Sequence, residues 1–177
     1  MSQKQPQITT KQVALSSLEY VLLGAVTKNI SGANEMLKSI GLTVGRRLAE
    51  RCTVEHPRLE DSSAIARFVA SEVWPVLTGH AVENVIFSQG KQPCTLTDNK
   101  LRCLSFGTEQ ALPLLMFYAG VLQAVFISLG FPSACTVTPE FGSSSSIAKF
   151  VVNVPSDMNS VGSSATAVRS APPPVKP

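Results

Sequence analysis

Charged residues are scarce in this sequence: they make up 15% of its 177 positions, whereas hydrophobic residues make up 44%. A composition this apolar excludes intrinsic disorder. The wide range of residue types excludes the repetitive sequence of a coiled coil or collagen. The net charge is only +3 and the basic residues are scattered, which argues against nucleic acid as the main partner. The length fits one domain that buries about 70% of the surface exposed when the chain is unfolded.

The signatures of the commonest enzymes are also missing. The sequence contains no GxSxG, GxxxxGK[ST], GxGxxG or HExxH motif. His56 and His80 are the only histidines, and both stand beside helix-breaking residues, which is typical of solvated loops. The serines at 143–146 have no assignable base, and a hairpin loop explains them. The sequence therefore predicts no catalytic residue and no enzyme.

The four cysteines lack the CxxC spacing of redox and zinc motifs. The polar opening MSQKQPQITTKQ does not resemble a cleavable signal, so we expect reduced cytoplasmic thiols. Cys52 and His56 have a ligand-like CxxxH spacing, but the gap between Cys94 and Cys103 is unlike that of a zinc ligand pair. We therefore expect no metal site and no cofactor.

Both ends of the chain have the composition of solvated tails. Residues 1–12 lack apolar periodicity, and residues 156–177 are rich in Ser, Ala and Pro. The folded domain is therefore expected over residues 13–155.

The first predicted helix is apolar on two sides. Leu15, Leu18, Leu22 and Val26 share one face, and their apolar neighbours widen the arc to roughly 200°, about twice the stripe of an ordinary surface helix. Such a helix requires partners on two sides.

A second helix is expected after Ser31, its candidate N-cap, with an apolar face formed by Ala33, Met36, Leu37, Ile40, Val44 and Leu48. Gly41 and Gly45 flank that face one turn apart, and each costs about 1 kcal/mol relative to Ala inside a helix. Two explanations remain open for them: simple tolerance, or close approach of another backbone, including that of a partner chain.

A third helix is predicted to begin at an Asp61 cap and to end at Gly79, with Pro75 bending it or marking its last turn. Its expected apolar face comprises Ile65, Phe68, Val69, Val73, Val76 and Leu77. Short strands are predicted next, at residues 83–88, 94–97 and 103–106, and the domain closes with an antiparallel hairpin of residues 134–141 and 147–154.

No charged residue occurs between Glu109 and Glu140, which raises the possibility of a membrane span. Gln123 near the middle, Pro113 near the start and the absence of flanking Lys or Arg clusters argue against a span. A helix that is apolar on all sides is also what the centre of a helix-and-sheet domain requires. The pattern therefore favours a buried core helix.

The order of these elements resembles the Bet-three-like small subunits of the transport protein particle, TRAPP. The segments that carry the resemblance are IGLTVGRRLAER at 40–51, SEVWPVL at 71–77, LTDN at 96–99, YAGVLQAVFISLGF at 118–131 and AKFVVNVP at 148–155. Trp74, the turn at 97–99 and the closing KFVVNVP are most similar to the branch called subunit six in animals and the thirty-three-kilodalton subunit in yeast.

The resemblance implies an α+β fold of four main helices and a small antiparallel sheet. It also implies a non-catalytic, architectural subunit that forms a heterodimer with a Bet-three-type subunit. The whole complex would tether vesicles in ER-to-Golgi and intra-Golgi transport and activate a Rab GTPase, which this subunit would contact only indirectly. Such a protein would be cytoplasmic and associated peripherally, through the complex, with ER-Golgi and Golgi membranes.

The first two helices supply the candidate residues of the subunit interface, because a lone domain gains little from exposing a second apolar stripe. These residues are Leu15, Leu18, Leu22, Val26, Met36, Ile40, Gly41, Val44, Gly45 and Leu48.

The sequence departs from the family pattern at two places. Leu59 stands where the Bet-three subunit carries an acylated cysteine, and residues 119–126 lack the usual cysteine and arginine of the buried helix. The acyl site is therefore not transferred to this chain. The alternative functions are a small-ligand or lipid-binding module with an apolar pocket and a membrane-spanning protein.

Overall fold

The computed structural model describes residues 18, 20–24, 26, 32–54, 59, 61–88, 94–143 and 146–155. The predicted tails, the candidate N-cap Ser31 and the candidate residues Leu15 and His56 lie outside the described residues.

The described helices follow the predicted order. Residues 18, 20–24 and 26 are helical and form what we call the N-terminal helical segment. Helix α1 spans Ala33–Thr53, and helix α2 spans Ser62–Phe68. A π-helical turn, Val69–Val73, joins α2 to helix α3, Trp74–Thr78, and helix α4 spans Thr108–Ser128.

Helix ends follow the predicted chemistry where they are described. The Asp61 carboxylate accepts a hydrogen bond from the backbone N–H of Ala64 at 2.6 Å, which confirms this residue as the N-cap of α2. Gly79 ends α3 with φ 85°, a left-handed conformation that glycine adopts without steric cost.

Four antiparallel strands form one sheet in the order β1-β2-β4-β3. Their bounds are Asn84–Phe87 (β1), Cys94–Asp98 (β2), Thr136–Phe141 (β3) and Ala148–Asn153 (β4). The predicted terminal hairpin is confirmed as β3 paired with β4. The α+β architecture that the sequence predicted, helices with a small antiparallel sheet, is therefore present.

The strand predicted at 103–106 was wrong, because this segment is a 3-10 helix, Arg102–Phe106. The backbone N–H of Leu104 bonds the carbonyl of Leu101, and the Ser105 hydroxyl donates to the carbonyl of Arg102 at 2.7 Å. These local hydrogen bonds replace the hydrogen bonds that a β-strand would form with a neighbouring strand. Leu101 and Cys103 are still buried, which explains why the apolar pattern resembled that of a strand.

The core lies between α4 and one face of the sheet. The inner face carries Leu96, Val137, Phe150 and Val152, each at most 1% exposed, in rows that the strand register aligns. Helix α4 buries residues on almost every side, including Leu114, Leu115, Phe117, Val121, Leu122, Val125 and Phe126. By length and composition α4 is the one helix in the described ranges that could cross a membrane, but here it is the centre of the core.

The π-helical turn changes which side of the third predicted helix is buried. Val76 was predicted to be buried but is 43% exposed, whereas Trp74 is 1% exposed. Because Pro75 has no N–H, the helix cannot continue its regular hydrogen bonds there, and the N–H of Trp74 instead bonds the carbonyl of Val69. The wider turn rotates the next residues so that Trp74 faces the core.

Candidate interaction surface

Helices α1 and α4 make the largest contact between elements of the fold, and three glycines allow it. A Cβ atom added at Gly41 or Gly45 would overlap the carbonyl oxygen of Phe117 or Val121, and one added at Gly120 would overlap that of Lys38. The two helices therefore run in the same direction, and their backbones are in contact where they cross. Of the two explanations for these glycines, close backbone approach is the one observed, and the approaching backbone belongs to this chain.

The buried face of α1 is consequently rotated from the predicted one. It consists of Leu37, Gly41, Gly45 and Ala49, so the glycines lie at its centre and not at its edge. Met36 and Leu48 are partly buried against the core. Ile40 and Val44, in contrast, remain 42% and 37% exposed, one helical turn apart on one side of α1.

The N-terminal helical segment also divides into a buried and an exposed side. Leu22 is 5% exposed and belongs to the core, and Leu23 and Val26 pack against it. Leu18, Tyr20 and Val21 are 36%, 70% and 72% exposed. The segment therefore has apolar side chains on more than one side, and the described part of this chain buries only some of them.

We call the exposed apolar residues of these two elements the N-terminal apolar surface: Leu18, Tyr20, Val21, Ile40 and Val44. Three of them, Leu18, Ile40 and Val44, were candidate interface residues. Leu22, Gly41 and Gly45 are buried within this chain, whereas Val26, Met36 and Leu48 are partly buried. The contact of these candidates with a partner stays a prediction. Tyr20 was missed, although the enrichment of tyrosine at interfaces is a signal that could have found it.

A second cluster joins three polar side chains in the fold. The Asp98 side chain is 2% exposed, and its Oδ2 accepts a hydrogen bond from Trp74 Nε1 at 2.6 Å and lies 2.7 Å from His80 Nε2. Its Oδ1 accepts the backbone N–H of Lys100 at 2.7 Å. Both carboxylate oxygens are thus occupied by neighbours in the chain, which is the arrangement of a structural buried carboxylate.

Among the described residues, the cysteines are not part of any group that could hold a metal ion. In the described ranges, no three His, Cys, Asp or Glu residues are grouped closely enough to hold a metal ion. Burial, and to a smaller extent the nearby Cys135, raise the pKa of Cys94 to about 12, and burial raises the pKa of Cys135 to about 11. Such thiols are poor nucleophiles and poor metal ligands because both roles require the thiolate.

Gln123 is the polar residue within α4 that argued against a membrane span. Its Oε1 is buried and has no hydrogen-bond partner in the described residues. The residue as a whole is only partly buried, on the side of α4 that also carries Met116 and Ile127.

Comparison with known proteins gives consistent results. Residues 17–155 match the family model described as "TRAPP: Transport protein particle (TRAPP) component". An uncharacterised protein of Schizosaccharomyces pombe is 28% identical over 113 residues, which cover 59% of this chain and 44% of that protein. The chain thus spans less than half the length of this relative.

Two vertebrate relatives carry more specific names. Trafficking protein particle complex subunit 6b of Danio rerio is 28% identical over 106 residues, covering 56% of this chain and 67% of that protein. Trafficking protein particle complex subunit 6B of Mus musculus is 32% identical over 106 residues, covering 56% of this chain and 66% of that protein.

Proposed function

The chain belongs to the TRAPP component family, and on that premise we propose that it is an architectural, non-catalytic subunit that forms a heterodimer with a Bet-three-type subunit. Relatives named as subunits of the trafficking protein particle complex support a role in such a complex. The proposed site of pairing is the N-terminal apolar surface.

The observation that carries this proposal is the exposure of Ile40 and Val44 on a helix whose neighbouring face, about 100° away around the helix axis, is buried to the backbone. The α1–α4 crossing fixes the rotation of α1, so these side chains cannot turn inward without separating the two helices. With the exposed side chains of the N-terminal helical segment, they place five apolar residues on the surface. Adjoining exposed apolar side chains, such as Ile40 and Val44 one helical turn apart, are candidates for an interaction site.

The wider context follows from this proposed role. The heterodimer would act in a complex that tethers transport vesicles between the ER and the Golgi and activates a Rab GTPase, with this subunit contacting the GTPase only through its neighbours. The protein would be cytoplasmic and would meet membranes peripherally. The Asp98 cluster supports a non-catalytic role, since both oxygens of its carboxylate are engaged within the fold.

No observation in the described ranges favours the alternative of a small-ligand or lipid-binding module. The apolar side chains of α4 that would wall a pocket, such as Leu115, Val121 and Phe126, are fully buried by other parts of the chain. Native mass spectrometry that finds a bound acyl species would nevertheless favour this alternative.

Co-expression with a Bet-three-type subunit of the same species tests the proposal. Size-exclusion chromatography with light scattering should show a one-to-one complex. The double variant Ile40→Glu/Val44→Glu should lose the complex and remain folded by circular dichroism, because both residues are exposed in the monomer.

The matched control is Ser39→Glu, which places a glutamate on the exposed polar side of α1. It should pair like the wild type. Failure of the wild-type chain to pair would refute the proposed function. A complex that survives the Ile40→Glu/Val44→Glu change would refute the assigned surface.

A further inference from the structure

On the exposed side of α1, the apolar residues Ile40 and Val44 are followed in one stripe by two basic residues, Arg47 and Arg51. Ile40, Val44, Arg47 and Arg51 are spaced i, i+4, i+7 and i+11, so they lie within roughly 60° of one another around the helix axis. All four are exposed. Their direction is far from that of Gly41 and Gly45, which face α4. One side of α1 thus presents an apolar half followed by a cationic half.

Neither Arg47 nor Arg51 forms an ion pair with any residue that the structure describes. At i and i+4 they are like charges, an arrangement that destabilises an isolated helix by about 0.2–0.5 kcal/mol. Of the acidic residues of α1, Glu35 is about 150° from the stripe around the helix axis, whereas Glu50 lies three residues after Arg47, at the edge of the stripe, and forms no ion pair with it. The helix dipole favours a positively charged side chain in the last turn, which accounts for Arg51 but not for Arg47.

Resting on the proposed function, we infer that the partner's contact element carries Asp or Glu side chains that face Arg47 and Arg51, next to an apolar stretch that covers Ile40 and Val44. The two arginines are separated by about 6 Å along the helix axis, so the matching carboxylates are about one helical turn apart. The planar guanidinium group binds a carboxylate through two parallel hydrogen bonds, which suits this role better than an ammonium group.

The same stripe makes a second copy of this chain a poor partner. In a two-fold symmetric pair, each residue meets its counterpart or an exchanged position. A parallel arrangement places arginine against arginine, and an antiparallel one buries guanidinium groups against Ile40 and Val44. Both arrangements are unfavourable, because like charges repel and unpaired buried charges lose hydration. The charge pattern therefore selects an acidic partner different from this chain.

Single charge reversals on the co-expressed, purified complex test the inference. Arg47→Glu and Arg51→Glu should each raise the dissociation constant on the order of tenfold. The control is Arg46→Glu, which changes the net charge equally at the adjacent exposed position on the other side of α1. It should change the dissociation constant less than about twofold. Circular dichroism verifies that each variant is folded.

Salt provides a second readout. Raising NaCl from about 50 to about 500 mM should weaken wild-type pairing and should have little effect on the Arg47→Glu/Arg51→Glu double variant, because the screened attraction is already lost. Equal effects of all three single reversals, or a salt-insensitive wild-type complex, would overturn the inference and leave the proposed pairing intact. Absence of any wild-type complex would overturn both.

Two other outcomes would also contradict it. Self-association of the isolated chain through the stripe, detected by light scattering and abolished by Ile40→Glu/Val44→Glu, would show that the charge argument is wrong. Binding to phosphatidylserine vesicles that Arg47→Glu abolishes, with subunit pairing unchanged, would assign the arginines to a membrane surface and not to a protein partner.

Discussion

Asp98 illustrates at the scale of one residue how a buried charge is retained. Transfer of a carboxylate out of water costs several kcal/mol unless hydrogen bonds compensate, and here the donors come from three parts of the chain. Trp74 lies on α3, His80 follows α3, and Lys100 follows β2. The carboxylate therefore ties the end of the helical layer to the end of a central strand.

Replacement of Asp98 tests this role. The variant Asp98→Ala should lower the free energy of unfolding by about 2–4 kcal/mol, since the indole N–H of Trp74 is left buried without an acceptor. Urea denaturation followed by circular dichroism measures the change. Glu140→Ala, at an exposed position of β3, should cost less than about 0.5 kcal/mol. Equal stability of the two variants would show that the hydrogen bonds of Asp98 contribute nothing.

The buried thiols predict a dependence of stability on alkaline pH. Burial raises the pKa of Cys94 and Cys135 from the ordinary value of 9.0 to about 12 and about 11. A group whose pKa is higher in the folded state stabilises the fold fully below its unfolded pKa, and this contribution is lost as pH rises through the folded value. The free energy of unfolding should thus fall above pH 9.0.

The variant Cys94→Ala/Cys135→Ala supplies the comparison for this pH dependence. It should show a shallower fall between pH 9.0 and about 11, whatever its stability at neutral pH. In the wild type, a thiol reagent at neutral pH should modify both residues only after denaturation. Rapid native modification of Cys94 would contradict its burial.

At the scale of elements, the crossing of α1 and α4 depends on the absence of side chains at three positions. Gly41→Ala, Gly45→Ala and Gly120→Ala should each lower the free energy of unfolding by about 1–3 kcal/mol, even though alanine is the better helix former, because the added methyl group overlaps a backbone carbonyl. Thermal and urea denaturation both measure this effect.

Gly24→Ala is the matched control for these glycine variants. Gly24 also lies in a helix, but apart from its own helical turn and chain neighbours no atom of the described residues would lie within 4 Å of a Cβ atom added there. This variant should be unchanged or more stable by up to about 1 kcal/mol. If Gly45→Ala were as well tolerated as Gly24→Ala, the two helices would not be in backbone contact.

The sequence was sufficient to predict elements with strong local signals. The Asp61 cap, the Gly79 end and the β3–β4 hairpin were predicted because capping groups, left-handed glycines and strict alternation act within a few residues. Helical periodicity located α1, and the long stretch without charged residues located α4. These features are set by local sequence and do not depend on how distant parts of the chain pack.

The rotation of the helices could not be predicted from periodicity. A helical wheel ranks glycine as neutral, so it centred the buried face of α1 on Ile40 and Val44, although tertiary packing centres it on Gly41 and Gly45. The π-helical turn shifted the phase between Val73 and Leu77 in the same way and exposed Val76. Both errors arise from backbone events that hydrophobic patterns do not record.

At the scale of the whole molecule, α4 determines the architecture. The glycine contacts hold it against α1, and the inner face of the sheet packs on another of its sides. Its twelve buried residues connect the two layers, so a helix with the composition of a membrane span here serves as the common core. This position explains why α4 is apolar on nearly all sides while the surface of α1 is divided into apolar and basic parts.

The position of α4 leads to a prediction about how the whole protein partitions. For α4 to enter a bilayer it would have to leave Leu37 on α1 and Phe150 in the sheet, both at most 1% exposed, and expose them to water at about 25 cal/mol per Å² of apolar surface. We therefore expect the protein to be recovered in the soluble fraction after detergent-free lysis, or to be released from membranes by alkaline carbonate. The variant Val121→Asp, which introduces an unpaired charge at the α1 crossing, should abolish soluble expression. If the wild-type protein stayed in the carbonate-washed membrane pellet and the Val121→Asp variant were expressed in soluble form, α4 would not be the core helix.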